Sequence, residues 1–269
     1  SLLAVHGYGG ASGYYSMAVT CGPPCSPAAG NDRCSQAQAL IPALDDGNGI
    51  PTPGDNTCAY GDENTGCDPF GAMQGVWYGF NSGPNSIMFM DLVMGTAGGM
   101  NYALYDGGCS GLGALNEITC VIDGDGSGVQ LPALVPGTDY LLYTWNDGGL
   151  SAEGDFSILL RRPGMNDAAI VDILEPSGEL CNTGLVPRVV IQNRGELDLT
   201  SAQIVYNVDG GPASNFAWSG DLAYLETDSV YLPTITTVPG VHTLNVASSQ
   251  PNATTDELPA NDASSIQVT

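Results

Sequence analysis

Residues 139–161, DYLLYTWNDGGLSAEGDFSILLR, contain two apolar runs separated by a segment rich in Gly, Asn and Asp. The runs at 139–146 and 155–161 mix apolar–polar alternation with short continuous apolar stretches. Alternation places every second side chain on one face of a strand, and continuous apolar stretches are typical of strands covered on both faces. The pattern predicts two strands that are buried on one face and partly covered on the other.

Similar short runs recur between turn residues along the whole chain, which has 37 Gly and 18 Pro among 269 residues. Before residue 165, further strands are predicted at 76–80, 86–93, 100–105 and 117–122. After it, strands are predicted at 168–174, 187–192, 201–208, 214–218, 228–232, 241–248 and 264–268. Seven strands in about 100 residues are typical of an immunoglobulin-like sandwich. One short helix is expected within 34–40, capped by Asp32.

Two segments rich in Pro, Gly, Asn and Asp divide the chain, at 21–32 and 162–167. Residues 1–20 also resemble 140–161, since paired leucines, a Gly-Gly turn and a Gly-containing aromatic segment recur in the same order. We interpret 1–20 as the final β-hairpin of a domain; chance similarity of two hairpins is the alternative. An isolated hairpin is marginal in water, so its apolar side chains need a partner surface. These are Leu2, Leu3, Val5, Tyr15, Met17 and Val19.

Three arrangements could supply that surface. The chain could belong to a longer array, the hairpin could pack on its own domains, or it could complete a sheet in a neighbouring copy. Repeated head to tail, the last arrangement need not close, and it would produce a filament of identical subunits.

The charge balance excludes several partners. The chain has five Lys plus Arg, all of them Arg, against 29 Asp plus Glu, and its net charge is -24. Nucleic acids and anionic membrane surfaces both attract clustered basic residues, so neither partner is expected. No apolar run approaches the roughly 18 residues of a membrane span, and no membrane insertion is expected.

Eight Cys with only two His favour disulfides over Cys/His metal sites, and disulfides indicate an oxidising, extracellular setting. Eight Cys allow 105 pairings, and sequence alone does not select one. The favoured scheme joins residues flanking local turns, namely Cys109–Cys120, Cys58–Cys67 and Cys21–Cys25. Cys34 and Cys181 would then bridge domains or neighbouring copies.

Four motifs occur in order within 31–163: Asn31-Asp32-Arg33-Cys34-Ser35-Gln36-Ala37, Val76-Trp77-Tyr78-Gly79-Phe80, Leu104-Tyr105-Asp106-Gly107-Gly108-Cys109 and Pro136-Gly137-Thr138-Asp139-Tyr140-Leu141. In this order they resemble the bacterial pre-peptidase C-terminal domain of secreted, multidomain proteins of Bacteroidetes. The resemblance implies a jelly-roll-like β-sandwich that serves as an accessory domain without catalytic activity.

Four other motifs follow within 164–269: Asn166-Asp167-Ala168-Ala169-Ile170, Pro187 through Gly195 (PRVVIQNRG), Tyr206-Asn207-Val208-Asp209-Gly210-Gly211 and Pro259-Ala260-Asn261-Asp262. They are similar to the cell-adhesion-related (CARDB-type) immunoglobulin-like domain, which implies a cell-surface or adhesive role. The expected fold is therefore all-β. It has a hairpin at 1–20, a linker at 21–30, a jelly-roll-like sandwich at 31–163 and an immunoglobulin-like sandwich at 164–269.

Calcium is the candidate ligand, although no cofactor is required by any motif. Asp123, Asp125 and Ser127 place oxygen donors at alternate positions, as loops for hard cations do. Leu134 stands where an EF-hand would have Glu, so this is not an EF-hand. A second acidic loop at 55–68 could also gather oxygens. The structural alternatives are a glycine-rich hairpin turn and a disulfide-tied loop.

Other surface chemistry is limited to short signals. Trp145 and Trp218 are candidates for stacking on glycans, whereas Trp77 fits a core position. Asn252 lies in an Asn-Ala-Thr sequon for N-glycosylation. Ser229 matches a short Asp-Ser-aliphatic pattern that resembles Bacteroidetes O-glycan acceptors.

No catalytic constellation accompanies His6 or His242, and no Gly-x-Ser-x-Gly elbow is present. The sequence therefore predicts a non-catalytic, extracellular structural or adhesive protein of a bacterial surface. Its expected partners are other copies of itself, assembled head to tail into a fibre through the N-terminal hairpin. The alternative is a carbohydrate- or substrate-binding module of a larger secreted enzyme.

Overall fold

The computed structural model describes residues 29–59, 65–68, 74–109, 115–146, 152–176 and 184–269. Within these ranges the protein is all-β, as predicted, and its helices are two single-turn 3-10 helices. The predicted helix at 34–40 is reduced to one of them, Cys34–Gln36, which follows Arg33 and lacks a side-chain cap. The other is Pro251–Ala253. No helix among the described residues is long and apolar enough to cross a membrane.

Ten strands precede residue 163 and form two five-stranded layers. The strands are β1 (Gln38–Ala39), β2 (Ala43–Leu44), β3 (Thr52–Asp55), β4 (Gly75–Asn81), β5 (Phe89–Met94), β6 (Met100–Gly107), β7 (Leu115–Val121), β8 (Gly126–Gln130), β9 (Asp139–Asn146) and β10 (Asp155–Arg162). One sheet has the order β1-β4-β9-β6-β7, and the other has β2-β10-β5-β8 with β3 also pairing β10. Pairing is antiparallel except where β1 joins β4 and β2 joins β10.

The main core of this first unit lies between its two sheets and includes Val76, Tyr78, Leu142 and Ile158. The alternate residues of β4, β6 and β9 point to the opposite face, where a second cluster forms: Trp77, Ala103, Tyr105, Tyr143 and Trp145. The central strands of this sheet are therefore buried on both faces, which explains their continuous apolar runs.

Nine strands follow and form the second unit. They are β11 (Ala168–Glu175), β12 (Gly184–Leu185), β13 (Arg188–Asn193), β14 (Leu199–Val208), β15 (Ser214–Leu222), β16 (Thr227–Tyr231), β17 (Ile235–Thr236), β18 (His242–Ser249) and β19 (Ala263–Val268). The sheets have the orders β11-β13-β16, β12-β17 and β15-β14-β18-β19. One core joins them, with inward residues such as Ile191, Ile204 and Leu244 fully buried.

The segment that 1–20 resembles is not a hairpin. β9 pairs with β4 and β6, whereas β10 pairs with β2, β3 and β5, so the two strands lie in opposite sheets. Both occupy central positions. The interpretation of 140–161 as a hairpin is therefore wrong, because a chain crossing between sheets shows the same local sequence pattern as a hairpin turn. Residues 1–20, with the interface residues predicted there, lie outside the described residues, as does the linker up to residue 28.

The disulfide pairing differs from the favoured scheme. Cys34 bonds Cys109 and Cys67 bonds Cys120, with Cα–Cα distances of 5.5 and 5.6 Å. The predicted Cys109–Cys120 pair is wrong because Cys120 faces Ala103 on β6. That position lies roughly 13 Å before the end of β6, beyond the 7 Å or so that a disulfide can span.

The predicted Cys58–Cys67 pair is also wrong, since Cys67 is taken by Cys120. Cys58 is nevertheless disulfide-bonded. Cys34 closes within the first unit instead of bridging domains, and Cys21 and Cys25 lie outside the described residues. Both observed bonds link segments at 34 and 67 to the sheet that carries the aromatic cluster. The two disulfides therefore hold these segments against the outer face of that sheet.

Candidate functional site

The connection between the two units is enclosed by a loop from the C-terminal part of the chain. The loop between β18 and β19 contains Glu257, whose Oε1 accepts a hydrogen bond from Met165 N at 3.0 Å. Glu257 N donates to Asn166 O at 3.1 Å, and its Oε2 lies 3.9 Å from Arg162 Nη1. A Cβ at position 164 would stand only 3.0 Å from the Glu257 Cβ, so the glycine there makes this close approach easier.

Three carboxylates meet beside this connection. Asp167 immediately precedes β11, and Asp256 and Asp262 lie in the loop before β19. Each contributes one oxygen to a group whose members all lie within 4.8 Å of one another. Among the described residues this is the cluster of His, Cys, Asp and Glu side chains that could hold a metal ion.

Backbone contacts position this acidic cluster. Asp256 Oδ2 accepts from Ala168 N at 3.0 Å, and its Oδ1 accepts from Leu258 N at 2.8 Å. Asp167 Oδ2 accepts from Asn261 Nδ2 at 3.1 Å. The strand start and the loop are therefore fixed to each other by hydrogen bonds at the cluster itself.

The electrostatics of the cluster are unfavourable to three free charges. Asp167 is only 1% exposed. Burial raises its pKa to about 7, and the negative charge of Asp256 adds to the effect. Burial also raises the pKa of Asp262 to about 7, with the charges of Asp256 and Asp167 as further causes. The buried oxygens Asp167 Oδ1, Asp262 Oδ1 and Asn261 Oδ1 have no hydrogen-bond partner.

A second set of contacts joins the two units directly. The Glu196 carboxylate, on the loop after β13, accepts bonds from Asn85 Nδ2 at 2.8 Å and from Ser86 N and Oγ, both at 2.6 Å. Ile87 N donates a longer bond of 3.3 Å. Asn85 is fully buried and also donates to Pro163 O. One carboxylate of the second unit thus caps a loop of the first.

The predicted glycan-stacking residues are both in the interior. Trp145 is 0% exposed, stacks on Tyr143 with ring centroids 5.5 Å apart, and donates Nε1–H to Asp68 Oδ2. Trp218 is 3% exposed and donates to Asp228 Oδ2. The stacking prediction is wrong for both, because a buried indole presents no face to a sugar. Trp77 is buried, as the core assignment requires.

The predicted calcium turn has structural contacts of its own. Asp125 Oδ1 accepts from Met100 N at 3.2 Å, and Asp123 N donates to Asn101 Oδ1 at 2.8 Å. Ser127 lies within β8. These bonds tie the turn to β6, and calcium binding here stays a prediction. The acidic loop at 55–68 is described only at 55–59 and 65–68.

The predicted glycosylation residues have different surroundings. Asn252 Oδ1 accepts from Thr200, and Asn252 Nδ2 donates to Asn166 Oδ1 and to Asp198 O, at 2.9 and 3.0 Å. Both amide protons of Asn252 are engaged, so in the folded chain this side chain has a structural role. Ser229 is exposed on β16, and O-glycosylation there stays a prediction.

Of the two histidines, His6 lies outside the described residues. His242 Nδ1 lies 2.7 Å from Asp209 Oδ2, and Nε2 lies 2.7 Å from Val238 O. The hydrogen bond to Asp209 is the main reason that the pKa of His242 is raised. Both ring nitrogens of His242 therefore have local structural partners.

Sequence reasoning missed the acidic cluster and the Glu196 contact. A signal for the cluster was present, since Asn-Asp occurs at 166–167 and again at 261–262, and both pairs were taken only as markers of the module. Their meeting depends on β11 and β19 being brought together. No comparable local signal marks Glu196.

No protein-family model and no curated protein matches the chain. Among solved structures, it is similar to the CARDB domain of a Pyrococcus furiosus protein, crystallised in complex with di-metal ions. The identity is 18% over 39% of this chain and 88% of that one, with a TM-score of 0.33. It is also similar to a GH2 β-galacturonidase of Eisenbergiella tayi, with 12% identity over 72% of this chain and a TM-score of 0.27.

An exo-chitosanase of Amycolatopsis orientalis gives 11% identity over 72% of this chain and a TM-score of 0.26. The chain spans 34% of the length of the galacturonidase and 25% of that of the chitosanase.

Proposed function

We propose that this chain is a non-catalytic structural module of an extracellular bacterial surface protein, with two β-sandwich units held in a defined relative orientation. The observation that carries the proposal is the Glu196 contact. Units joined only by a flexible linker are expected to move independently. A carboxylate that accepts four hydrogen bonds from the other unit opposes that motion, which is what a rigid spacer requires.

The disulfides support the extracellular part of the proposal. Bonds such as Cys34–Cys109 and Cys67–Cys120 form and persist in oxidising compartments. Both disulfides hold the segments that lie over the aromatic cluster, so their role is structural. The burial of Trp145 and Trp218 removes the residues on which a carbohydrate-binding role depended.

Small-angle X-ray scattering of the full chain tests the rigid junction. We expect the wild-type profile to fit one arrangement of the two units, and Glu196→Ala to require a broader distribution of distances. Glu196→Gln keeps one acceptor oxygen and should fall between them. A wild-type profile that already requires a broad ensemble contradicts the proposal.

Assembly into a fibre is a further part of the proposal, supported by the similarity between 1–20 and 140–161. Because β9 and β10 are already paired on both sides, the segment 1–20 would have to add strands at the ends of a neighbour's sheets, where β7 and β8 lie. Negative-stain microscopy of the full chain should show filaments. The double substitution Leu2→Asp and Leu3→Asp should abolish them, and Ser1→Asp is the matched control. Monodisperse wild-type monomers at high concentration contradict this part.

A further inference from the structure

We infer that Asp167, Asp256 and Asp262, with the amide oxygen of Asn261 as a fourth candidate donor, bind one Ca²⁺ ion. This site is separate from the Asp123–Ser127 turn that the sequence pattern suggested. It also does not depend on the structural role proposed above, because a cation could bind here whatever the two units do.

The spacing of the three carboxylates fits a single ion. Calcium binds oxygen at about 2.3–2.6 Å, so two oxygens on one ion can be no more than about 5 Å apart. The three donor oxygens of the acidic cluster all lie within 4.8 Å of one another. Two sequence-distant segments supply them, the start of β11 and the loop before β19, and backbone hydrogen bonds fix both segments at Asp256.

A second observation separates this cluster from an ordinary acidic surface. Asp167 is 99% removed from solvent, and its Oδ1 has no hydrogen-bond partner. A buried carboxylate oxygen without a donor is costly, and native structures normally satisfy such a group. Asp262 Oδ1 and Asn261 Oδ1 are also buried and unpartnered, so three oxygens of one small region lack donors.

The surrounding protein does not supply the missing positive charge. None of the ion pairs found among the described residues includes Asp167, Asp256 or Asp262. Arg194 acts on Asp167 only as a more distant charge, and its guanidinium Nε donates to Gln192. A bound cation would neutralise the cluster and give its unpartnered oxygens an electrophilic partner.

The donor set selects the kind of cation. Carboxylate and amide oxygens suit hard cations, whereas zinc in structural sites is held mainly by Cys and His. Magnesium demands near-ideal octahedral geometry, while calcium accepts six to eight oxygens in flexible arrangements and completes its shell with water. Ligands drawn from a strand start and an irregular loop favour calcium.

Isothermal titration of the full, EGTA-treated chain with CaCl₂ tests the inference, with MgCl₂ as the comparison ion. We expect one Ca²⁺ per chain and weaker binding of Mg²⁺. The melting temperature should rise by roughly 5–15 °C when Ca²⁺ exceeds its Kd by about 100-fold. Asp262→Asn and Asp256→Asn should each weaken Ca²⁺ binding at least tenfold, since each removes a charged ligand.

Two matched variants locate the ion. Asp221→Asn removes an exposed acid of β15 and should leave the binding isotherm unchanged. Asp125→Asn removes the central acid of the alternative turn, and it should also have no effect. Loss of binding in Asp125→Asn with retention in Asp262→Asn would overturn the assignment.

Stability in EGTA separates a ligand from a merely structural residue. Without calcium, Asp262→Asn removes one acid from a cluster in which burial and neighbouring carboxylates disfavour ionisation, so its melting temperature should equal or exceed that of the wild type. With calcium, the order should reverse. A wild type that binds no Ca²⁺ and shows no melting shift overturns the inference, as does a variant that is destabilised equally with and without the ion.

Discussion

Truncation of Glu196 is expected to weaken the junction between the two units by about 2–4 kcal/mol. In Glu196→Ala, the donors Asn85 Nδ2, Ser86 N, Ser86 Oγ and Ile87 N lose their common acceptor. Hydrogen bonds to charged groups contribute about 1.5–3 kcal/mol each. Three of these bonds are short, so their summed contribution would exceed about 4 kcal/mol if water replaced none of them. Because Glu196 is half-buried, water can replace part of the loss.

Urea unfolding of the full chain, followed by tryptophan fluorescence and circular dichroism, measures this change. In the wild type, contacts with the second unit should stabilise the first unit against unfolding. In Glu196→Ala the transition midpoint should fall, and the two probes should separate as the units unfold independently. Glu196→Gln, which keeps a carbonyl acceptor and the side-chain volume, should lose about half as much. A loss below about 0.5 kcal/mol in Glu196→Ala, with coincident probes, refutes the reasoning.

Three other outcomes are expected. Replacing Cys67 and Cys120 together by Ser should cost about 4 kcal/mol, because the bond closes a separation of 53 residues, and non-reducing peptide mapping should recover these two cysteines linked. Trp145→Ala should cost about 3–5 kcal/mol in urea unfolding, as for a buried aromatic; loss of glycan binding at unchanged stability contradicts its burial. Asp209→Asn should lower the pKa of His242 towards 6.5 in an NMR titration. Because the pKa of His242 is higher in the folded state, the stabilisation by the His242–Asp209 pair is complete below the unfolded pKa and is lost as pH rises through the folded pKa. Equal stability of wild type and variant across this pH range would contradict the prediction.

The local sequence pattern predicted the strands well because side chains alternate between the two faces of a strand, so burial of one face produces a regular apolar–polar alternation. The predicted strand 139–146 coincides with β9, and 155–161 falls within β10. The sequence did not reveal that these strands enter different sheets, because the connection between them has the composition of a hairpin turn. Short edge strands such as β1 and β2 were missed, since two residues carry no period.

Non-local geometry explains the remaining errors. The pairing of Cys109 with Cys34 depends on where the segment before β1 crosses the sheet, and no spacing rule encodes that crossing. Trp145 is a candidate for glycan stacking on sequence alone because one face of its strand is predicted to be only partly covered. The second face is covered by segments that reach it through the two disulfides, so its burial follows from tertiary structure alone.

The scarcity of cations explains how this chain uses its carboxylates. With five Arg for 29 acids, most acidic groups cannot be neutralised by ion pairs, and several of them accept bonds from N–H and O–H donors instead. Glu196 accepts from Ser86, and Asp155 accepts from Thr96 N and Oγ1, contacts that also lower the pKa of Asp155. Hydrogen bonding satisfies Asp167 only in part, since one of its carboxylate oxygens has a donor and the other has none. Because this chain has so few cations of its own, an external cation would stabilise it most at a buried oxygen that no N–H reaches. The acidic cluster is therefore more informative about the electrostatics of the chain than its net charge of -24.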